Sequence, residues 1–333
     1  LSKDPWFRNH YIRDAIYNAI YNRMKVDDSI YIMGEGSHMK IHFDAPQIEK
    51  EFPDRFITLP ISEDANTNFA VGMALAGVKP IVDVITADFL YRTMDSICNT
   101  VAKTNFVSDP KTIVIRAEFL TAGPTTGQRP ESLFTHIPGL NVVVPSNPVD
   151  ARGLMDTALE EKGATLFFED RMIEDATTSR RDMLPSGLLW AGIPFGKAKI
   201  RRRGEKVTVL SYALTLRMLE LLFEKENLDY DLIDLRSIYP VDYDLIAESV
   251  DRTGALLIVE PDVAYAGVGA EIASQISEKC FDRLRAPVRR LGAPRTTIPA
   301  SRSLHDFMLP SEKKILEVAK EMSLPSVEGV ASK

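Results

Sequence analysis

The sequence predicts an α/β protein built from two doubly wound domains. Short β-branched runs alternate with helical stretches from end to end, the signature of parallel sheets covered by helices on both faces. The alternation lapses once, between about residues 171 and 205, where prolines, glycines and the basic cluster Arg201, Arg202 and Arg203 break the periodicity. It then resumes over a shorter span. We therefore expect a first domain over residues 1–185, a linker over 186–205 and a second domain over 206–333.

In the first domain, apolar runs predict strands over 29–33, 55–62, 79–86, 112–116, 141–145 and 165–169, each short enough for a strand buried on both faces. Helices are expected between them, over 11–25, 63–76, 89–103 and 148–161. In the second domain strands are expected over 207–212, 231–235, 255–259 and 288–291, with a last helix over 311–322. No internal repeat of about 20 to 50 residues is present, which disfavours solenoids and propellers.

Composition narrows the function. The 333 residues are 45% hydrophobic and 26% charged, close to globular averages and enough for packed layers. Forty basic against 47 acidic residues leave a net charge of −7, so there is no cationic excess for nucleic acid. No apolar run reaches the length of a membrane span. Cys98 and Cys280 lie in apolar stretches and read as buried free thiols in a reducing compartment: the cytoplasm, or an organelle matrix if a leader was removed.

Several motifs fail as cofactor sites. Residues 192–197 are one residue short of a phosphate-binding loop and carry Ala198 where its hydroxyl belongs. Gly267, Val268, Gly269, Ala270 and Glu271 lack the third glycine of a dinucleotide fingerprint and read better as close packing at a helix start. His10, His38, His42, His136 and His305 show no metal-ligand spacing with cysteine, so no metal site is expected on this chain.

The informative stretch is Pro60, Ile61, Ser62, Glu63 and Asp64, followed by Asn66, Phe69, Gly72, Met73, Ala74 and Gly77. A strand giving way to a helix here places Glu63 at a carboxyl edge of the sheet, where α/β proteins bind ligands, and Ser62 is suited to cap the helix. Glu63 and Asp64 also suit the helix's first turn by complementing its dipole, so position alone leaves both roles open.

Those residues, with Lys79-Pro80-Ile81, Phe89, Asp95, Asn99, Lys103, Arg116, Pro130-Glu131, Phe134, His136 and Pro138-Gly139-Leu140, resemble the pyrimidine-binding domain of the thiamine-diphosphate family. More narrowly, they are similar to the beta subunit of the decarboxylating component of 2-oxo acid dehydrogenases. Asp234-Leu235-Arg236, Pro240, Glu260 and residues 267–271 resemble that family's transketolase-like C-terminal domain. The resemblance implies a pyrimidine-type thiamine-diphosphate fold followed by a transketolase C-terminal-like fold. It implies thiamine diphosphate as cofactor, with Glu63 bonded to the pyrimidine ring nitrogen to drive its imino form, Phe89 packed on the ring and Glu35 close by.

Two departures shape the expected chemistry. The chain contains no Gly-Asp-Gly, the family's magnesium-diphosphate motif. The resemblance therefore implies an alpha-type partner holding Mg2+ and the diphosphate in an α2β2 assembly, with a lipoyl acyltransferase as a further partner it allows. Dehydrogenase beta subunits also carry a histidine just before the Pro-Glu pair; here the register gives Thr126, Gly127, Gln128 and Arg129. Threonine does not titrate near neutrality, which weakens acyl transfer to a lipoyl group. Gln128 and Arg129 become candidate substrate contacts, the guanidinium suiting a carboxylate or phosphate, and His38 a candidate replacement imidazole. The expected activity is that of a 2-oxo acid dehydrogenase-type beta subunit. The alternatives are a split transketolase-like carboligase and a noncatalytic structural subunit.

Overall fold

A computed structural model describes residues 12–36, 46–120, 123, 125–173 and 192–323. The chain divides into two compact units. One comprises Leu1–Gly196 with Ser237–Pro240, the other Lys197–Arg236 with Val241–Lys333.

The first unit runs α1 (Ile12–Met24), β1 (Ile30–Glu35), α2 (Pro46–Glu51), β2 (Phe56–Leu59), α3 (Glu63–Leu75), β3 (Lys79–Thr86), α4 (Ala102–Val107), β4 (Ile113–Phe119), α5 (Glu131–Thr135), β5 (Leu140–Val143), α6 (Pro148–Glu160) and β6 (Ala164–Asp170). The second runs β7 (Lys199–Arg202), β8 (Thr208–Ser211), α7 (Ala213–Glu226), β9 (Asp231–Asp234), then, after β10 (Ser237–Tyr239), α8 (Tyr243–Thr253), β11 (Leu256–Val263), α9 (Val268–Lys279), β12 (Arg289–Ala293) and α10 (Glu312–Ser323). The seven-stranded sheet has the order β10-β5-β6-β4-β3-β1-β2, and the five-stranded sheet the order β12-β11-β8-β9-β7.

All pairings are parallel but two: β10 runs antiparallel to β5, and β7 antiparallel to β9. Both antiparallel strands lie at sheet edges, and both escape the sequence pattern. Lys199–Arg202 falls within the stretch read as patternless; it is a real strand whose charged side chains an edge position tolerates. The interior strands are legible because both faces are covered. Every residue of β4 and β6 is buried, and each opens on the apolar run that marks a buried parallel strand before its charged carboxyl-terminal half. In the second unit Val209, Leu216, Leu219, Phe223, Leu257, Val259, Ile315 and Val318 share one core.

The predicted helix over 89–103 is corrected. A 3-10 turn (Ala87–Tyr91) comes first, and the helix then runs unbroken over 94–107, with a π segment (Ser96–Val101) between its first residues and α4. Just upstream, the ladder between β3 and β4 is irregular. Asp83 pairs with Arg116 and Thr86 with Glu118, so two residues of β3 oppose one of β4. Within this bulge Ile85 holds φ 69°, a left-handed value that is costly for a β-branched residue, and its amide donates to Asp83 Oδ1 at 2.9 Å. The chain thus leaves the sheet at a new angle before Phe89. Cys280 is buried as expected, but Cys98, in the π segment, is only partly buried; both are free thiols.

Candidate active site

The site is built at the carboxyl edge of the seven-stranded sheet, where β1, β2 and β3 end beside one another. Proline at 60 helps end β2 at Leu59, short of the predicted 62. Ser62 does not cap α3 with its hydroxyl, contrary to expectation. Its backbone amide instead donates to Glu35 Oε1 at 3.2 Å, joining the end of β1 to the start of α3. Asn66 Nδ2 donates to the Pro60 carbonyl at 3.1 Å and Thr67 Oγ1 to the Glu63 carbonyl at 2.8 Å, which pin the same turn from the helix side.

Glu63 is therefore the first residue of α3, half-buried, on a turn fixed at both ends. It lines a cleft of about 310 Å³ with Ile61, Ser62, Asp64 and Arg92. Glu35 lies just inside, 2% exposed. Burial pushes its carboxyl above the ordinary carboxylate range, and the neighbouring Glu63 charge pushes it further the same way, while the Ser62 amide opposes both. The cleft thus carries the carboxyls of Glu63 and Asp64, with the buried Glu35 close enough to Glu63 for the two to repel.

Phe89, half-buried, sits on the 3-10 turn that leaves β3. That turn is tied down through the buried Asp88, whose Oδ2 accepts from Thr86 Oγ1 at 3.2 Å. Its Oδ1 accepts from Gln128 Nε2 at 3.0 Å and from the Gln128 amide at 3.3 Å. Gln128 is thereby brought to the Phe89 turn. Arg129 ion-pairs with Asp170, lies 3.8 Å from Glu131 Oε1 and stacks 4.3 Å over the Phe119 ring, so its guanidinium is engaged inside the protein. Thr126 is half-buried on the preceding loop, its amide donating to the Gly123 carbonyl at 3.3 Å. His38 lies outside the described residues, as do His10 and His42.

Behind the cleft the sheet carries a buried charge cluster. Arg116, 1% exposed, ion-pairs with Glu169, lies 3.2 Å from Asp83 and 4.0 Å from Glu118. Three carboxyls around one guanidinium hold one proton more readily than they would in water: burial lifts Glu169 to about 7 despite Arg116, with Glu118 and Asp83 adding to the rise. Two features escaped the sequence reading. The Ser62 amide has no sequence signature. Arg92 does have one, a cation three residues beyond Phe89 in the turn after a strand.

Residues 10–173 match the family described as Transketolase, pyrimidine binding domain, and residues 196–315 match Transketolase, C-terminal domain. The pyruvate dehydrogenase E1 component subunit beta of Rickettsia felis is 33% identical, the alignment covering 95% of this chain and 99% of that one. This chain belongs to the E1 beta family. Its relatives include the mitochondrial subunit beta-2 of rice, 31% identical over 96% of this chain and 88% of the other. They include as well the beta subunit of the acetoin:2,6-dichlorophenolindophenol oxidoreductase of Cupriavidus necator, 31% identical over 93% and 96%. The fold also matches a split-gene transketolase solved as an inactive beta4 tetramer, with a TM-score of 0.76 at 18% identity, covering 95% of this chain and 99% of that one. The E1 beta-type chain thus has the two-domain α/β architecture expected of it, and no helix among its described residues is long and apolar enough to cross a membrane.

Proposed function

We propose that this E1 beta-type chain is one half of a two-chain thiamine-diphosphate enzyme acting on a 2-oxo acid, with Glu63 as the carboxyl that engages the cofactor's pyrimidine ring. The observation that carries this is the fixed turn at Ser62, which presents Glu63 in the cleft with the buried Glu35 beside it. When bound, the cofactor would supply a nucleophilic thiazolium carbon. Glu63 would hold its pyrimidine ring through the ring nitrogen. Glu35, held by the Ser62 amide, buttresses the turn that carries Glu63. Phe89 packs against the ring face and fixes its orientation.

With no Gly-Asp-Gly in the chain, Mg2+ and the diphosphate fall to an alpha-type partner, and we propose an α2β2 assembly in the cytoplasm or an organelle matrix. A lipoyl acyltransferase is a further partner in a dehydrogenase complex. Two domains, divided near the start of β7, complete the reading. The test is Glu63→Gln in the assembled enzyme. Turnover should fall on the order of 100-fold or more while assembly measured by sedimentation is unchanged. Undiminished turnover in that variant overturns the reading.

Thr126, where the family has histidine, favours a second reading: a carboligase that passes a two-carbon or acyl unit to an aldehyde. Assays with 2-oxo acids and an artificial electron acceptor, then with ketose phosphates and an aldehyde, separate the two. Turnover confined to the second assay replaces the dehydrogenase.

A further inference from the structure

Among the described residues, four arginines lie at or near the carboxyl edge of the seven-stranded sheet, and three are engaged by carboxylates. Arg116 is held by Glu169 and Asp83, Arg129 by Asp170, and Arg171 lies 3.3 Å from Glu118. Arg92 differs. It is exposed, its side chain makes no hydrogen bond or ion pair with any described residue, and it lines the cleft that Glu63 opens onto.

The backbone beneath it is fixed. The Arg92 amide donates to the Phe89 carbonyl at 2.9 Å, and the turn they share is anchored through Asp88 to Thr86 and Gln128. Across the cleft, Asp64 is engaged by the Ser96 hydroxyl, which also accepts from Asn68. The other charges lining the cleft, Glu63 and Asp64, are both acidic. Among the described residues lining the cleft, the one cation an anionic ligand meets is Arg92.

Which anion it meets follows from the chemistry at Glu63. A guanidinium bonded to the carboxylate that leaves as carbon dioxide would stabilise the ground state, because that charge leaves the carboxylate as the bond breaks. Such a contact slows the reaction. A cation at the exposed outer part of the cleft instead suits a group that keeps its charge throughout, and binding energy from a remote group orients the reacting carbon. Resting on the reading of the Glu63 cleft as the reaction site, we propose that Arg92 binds a non-reacting anionic group of the substrate, a carboxylate or phosphate remote from the carbon where the bond is cleaved.

The substrate class is then a 2-oxo acid or ketose with a second, distal oxyanion. Arg92 is its specificity-determining residue.

The test uses the enzyme assembled with its alpha-type partner, thiamine diphosphate and Mg2+. Arg92→Gln and Arg92→Lys are compared with the unsubstituted protein on 2-oxoglutarate and xylulose 5-phosphate, which carry a distal oxyanion, and on pyruvate, which does not. For whichever distal-anion substrate is used, Arg92→Gln should raise KM about 10- to 100-fold, the worth of a charged hydrogen bond. The value of kcat should stay within about threefold, as for a contact made equally in ground and transition states. Pyruvate kinetics should not change, and Arg92→Lys should recover most of the loss. An equal change for pyruvate, no change for any substrate, or weaker binding of the partner chain in place of a KM effect overturns the proposal.

Calorimetric titration of the same assembly with glutarate and with glycerol 3-phosphate needs no turnover and separates carboxylate from phosphate. Binding of at least one must be lost in Arg92→Gln; absent or Arg92-independent binding of both overturns the proposal by itself. Glu63→Gln keeps the two readings apart. It abolishes turnover if the proposed function holds, whatever Arg92 does, and leaves glutarate or glycerol 3-phosphate binding intact.

Discussion

Glu260, on β11, is fully buried against the start of α9. Its Oε2 accepts from the Gly269 amide at 2.8 Å, and a methyl group added at Gly267 or Gly269 would come within 2.8 or 2.7 Å of its carboxyl oxygens. The glycines read in the sequence as close packing at a helix start serve this carboxyl. Burial lifts it to about 7 from the ordinary 4.5, with the Gly269 amide opposing. The sign follows. Below pH 4.5 the group is protonated whether the chain is folded or not. As pH rises the unfolded chain ionises first, so the folded state loses about 3 kcal/mol of this contribution by the time pH passes 7. Glu260→Gln keeps an acceptor for the amide and removes the titration. Its stability relative to the unsubstituted protein should be greater at pH 8 than at pH 5, measured by urea unfolding; the reverse order would mean the ionised form is the favoured one. Arg116 provides a contrasting case. Arg116→Met leaves Asp83, Glu118 and Glu169 buried without their cation and should cost about 3 to 5 kcal/mol, read from the same unfolding curves. The place of Glu63, where a strand gives way to a helix, was legible in the sequence, whereas its role and that of Phe89 follow only from the family resemblance. Arg92 was not legible, because a lone arginine in a turn reads as solvated until the cleft it lines is known.

The interior elements were legible to within a few residues. Lys79–Thr86 matches the predicted strand, and α3 and α6 each end one residue short of theirs. Asn147 accounts for the clean start of α6, its side chain accepting from the Asp150 amide at 3.0 Å ahead of Pro148. What failed was the stretch after β3. Periodicity registers which side chains are apolar, but the bulge at Ile85 and the π segment are backbone events, and the helix expected over 89–103 runs over 94–107 instead. The short α4 is held by a close backbone approach. Gly139 has φ 95°, and a methyl group there would stand 2.5 Å from the Ala102 carbonyl oxygen and 2.8 Å from Phe106 Cε2. Gly139→Ala combines overpacking with a strained φ. We expect a loss of roughly 2 to 4 kcal/mol, seen as a lowered Tm; a loss under about 0.5 kcal/mol would mean that α4 yields freely.

Over the whole molecule, the alternation of strands and helices carried the architecture, and the two antiparallel edge strands, β7 and β10, lay beyond it. A three-residue strand such as β10 is too short to show a period, and its partner is nearly a hundred positions away in the chain. Its place has a physical consequence. Ser237–Tyr239 follows β9 in the chain yet completes the seven-stranded sheet along β5, so the polypeptide leaves the second unit and returns to it. A fragment ended after residue 205 would therefore present β5 with a row of unpaired backbone groups, a template for other chains. Such a fragment should associate in light scattering at concentrations where the full chain does not. Appending residues 231–240 through a flexible linker should suppress the association. Gene splitting, in this protein, has no single seam to follow: any division must carry a short loan of chain from one half to mend the border of the other.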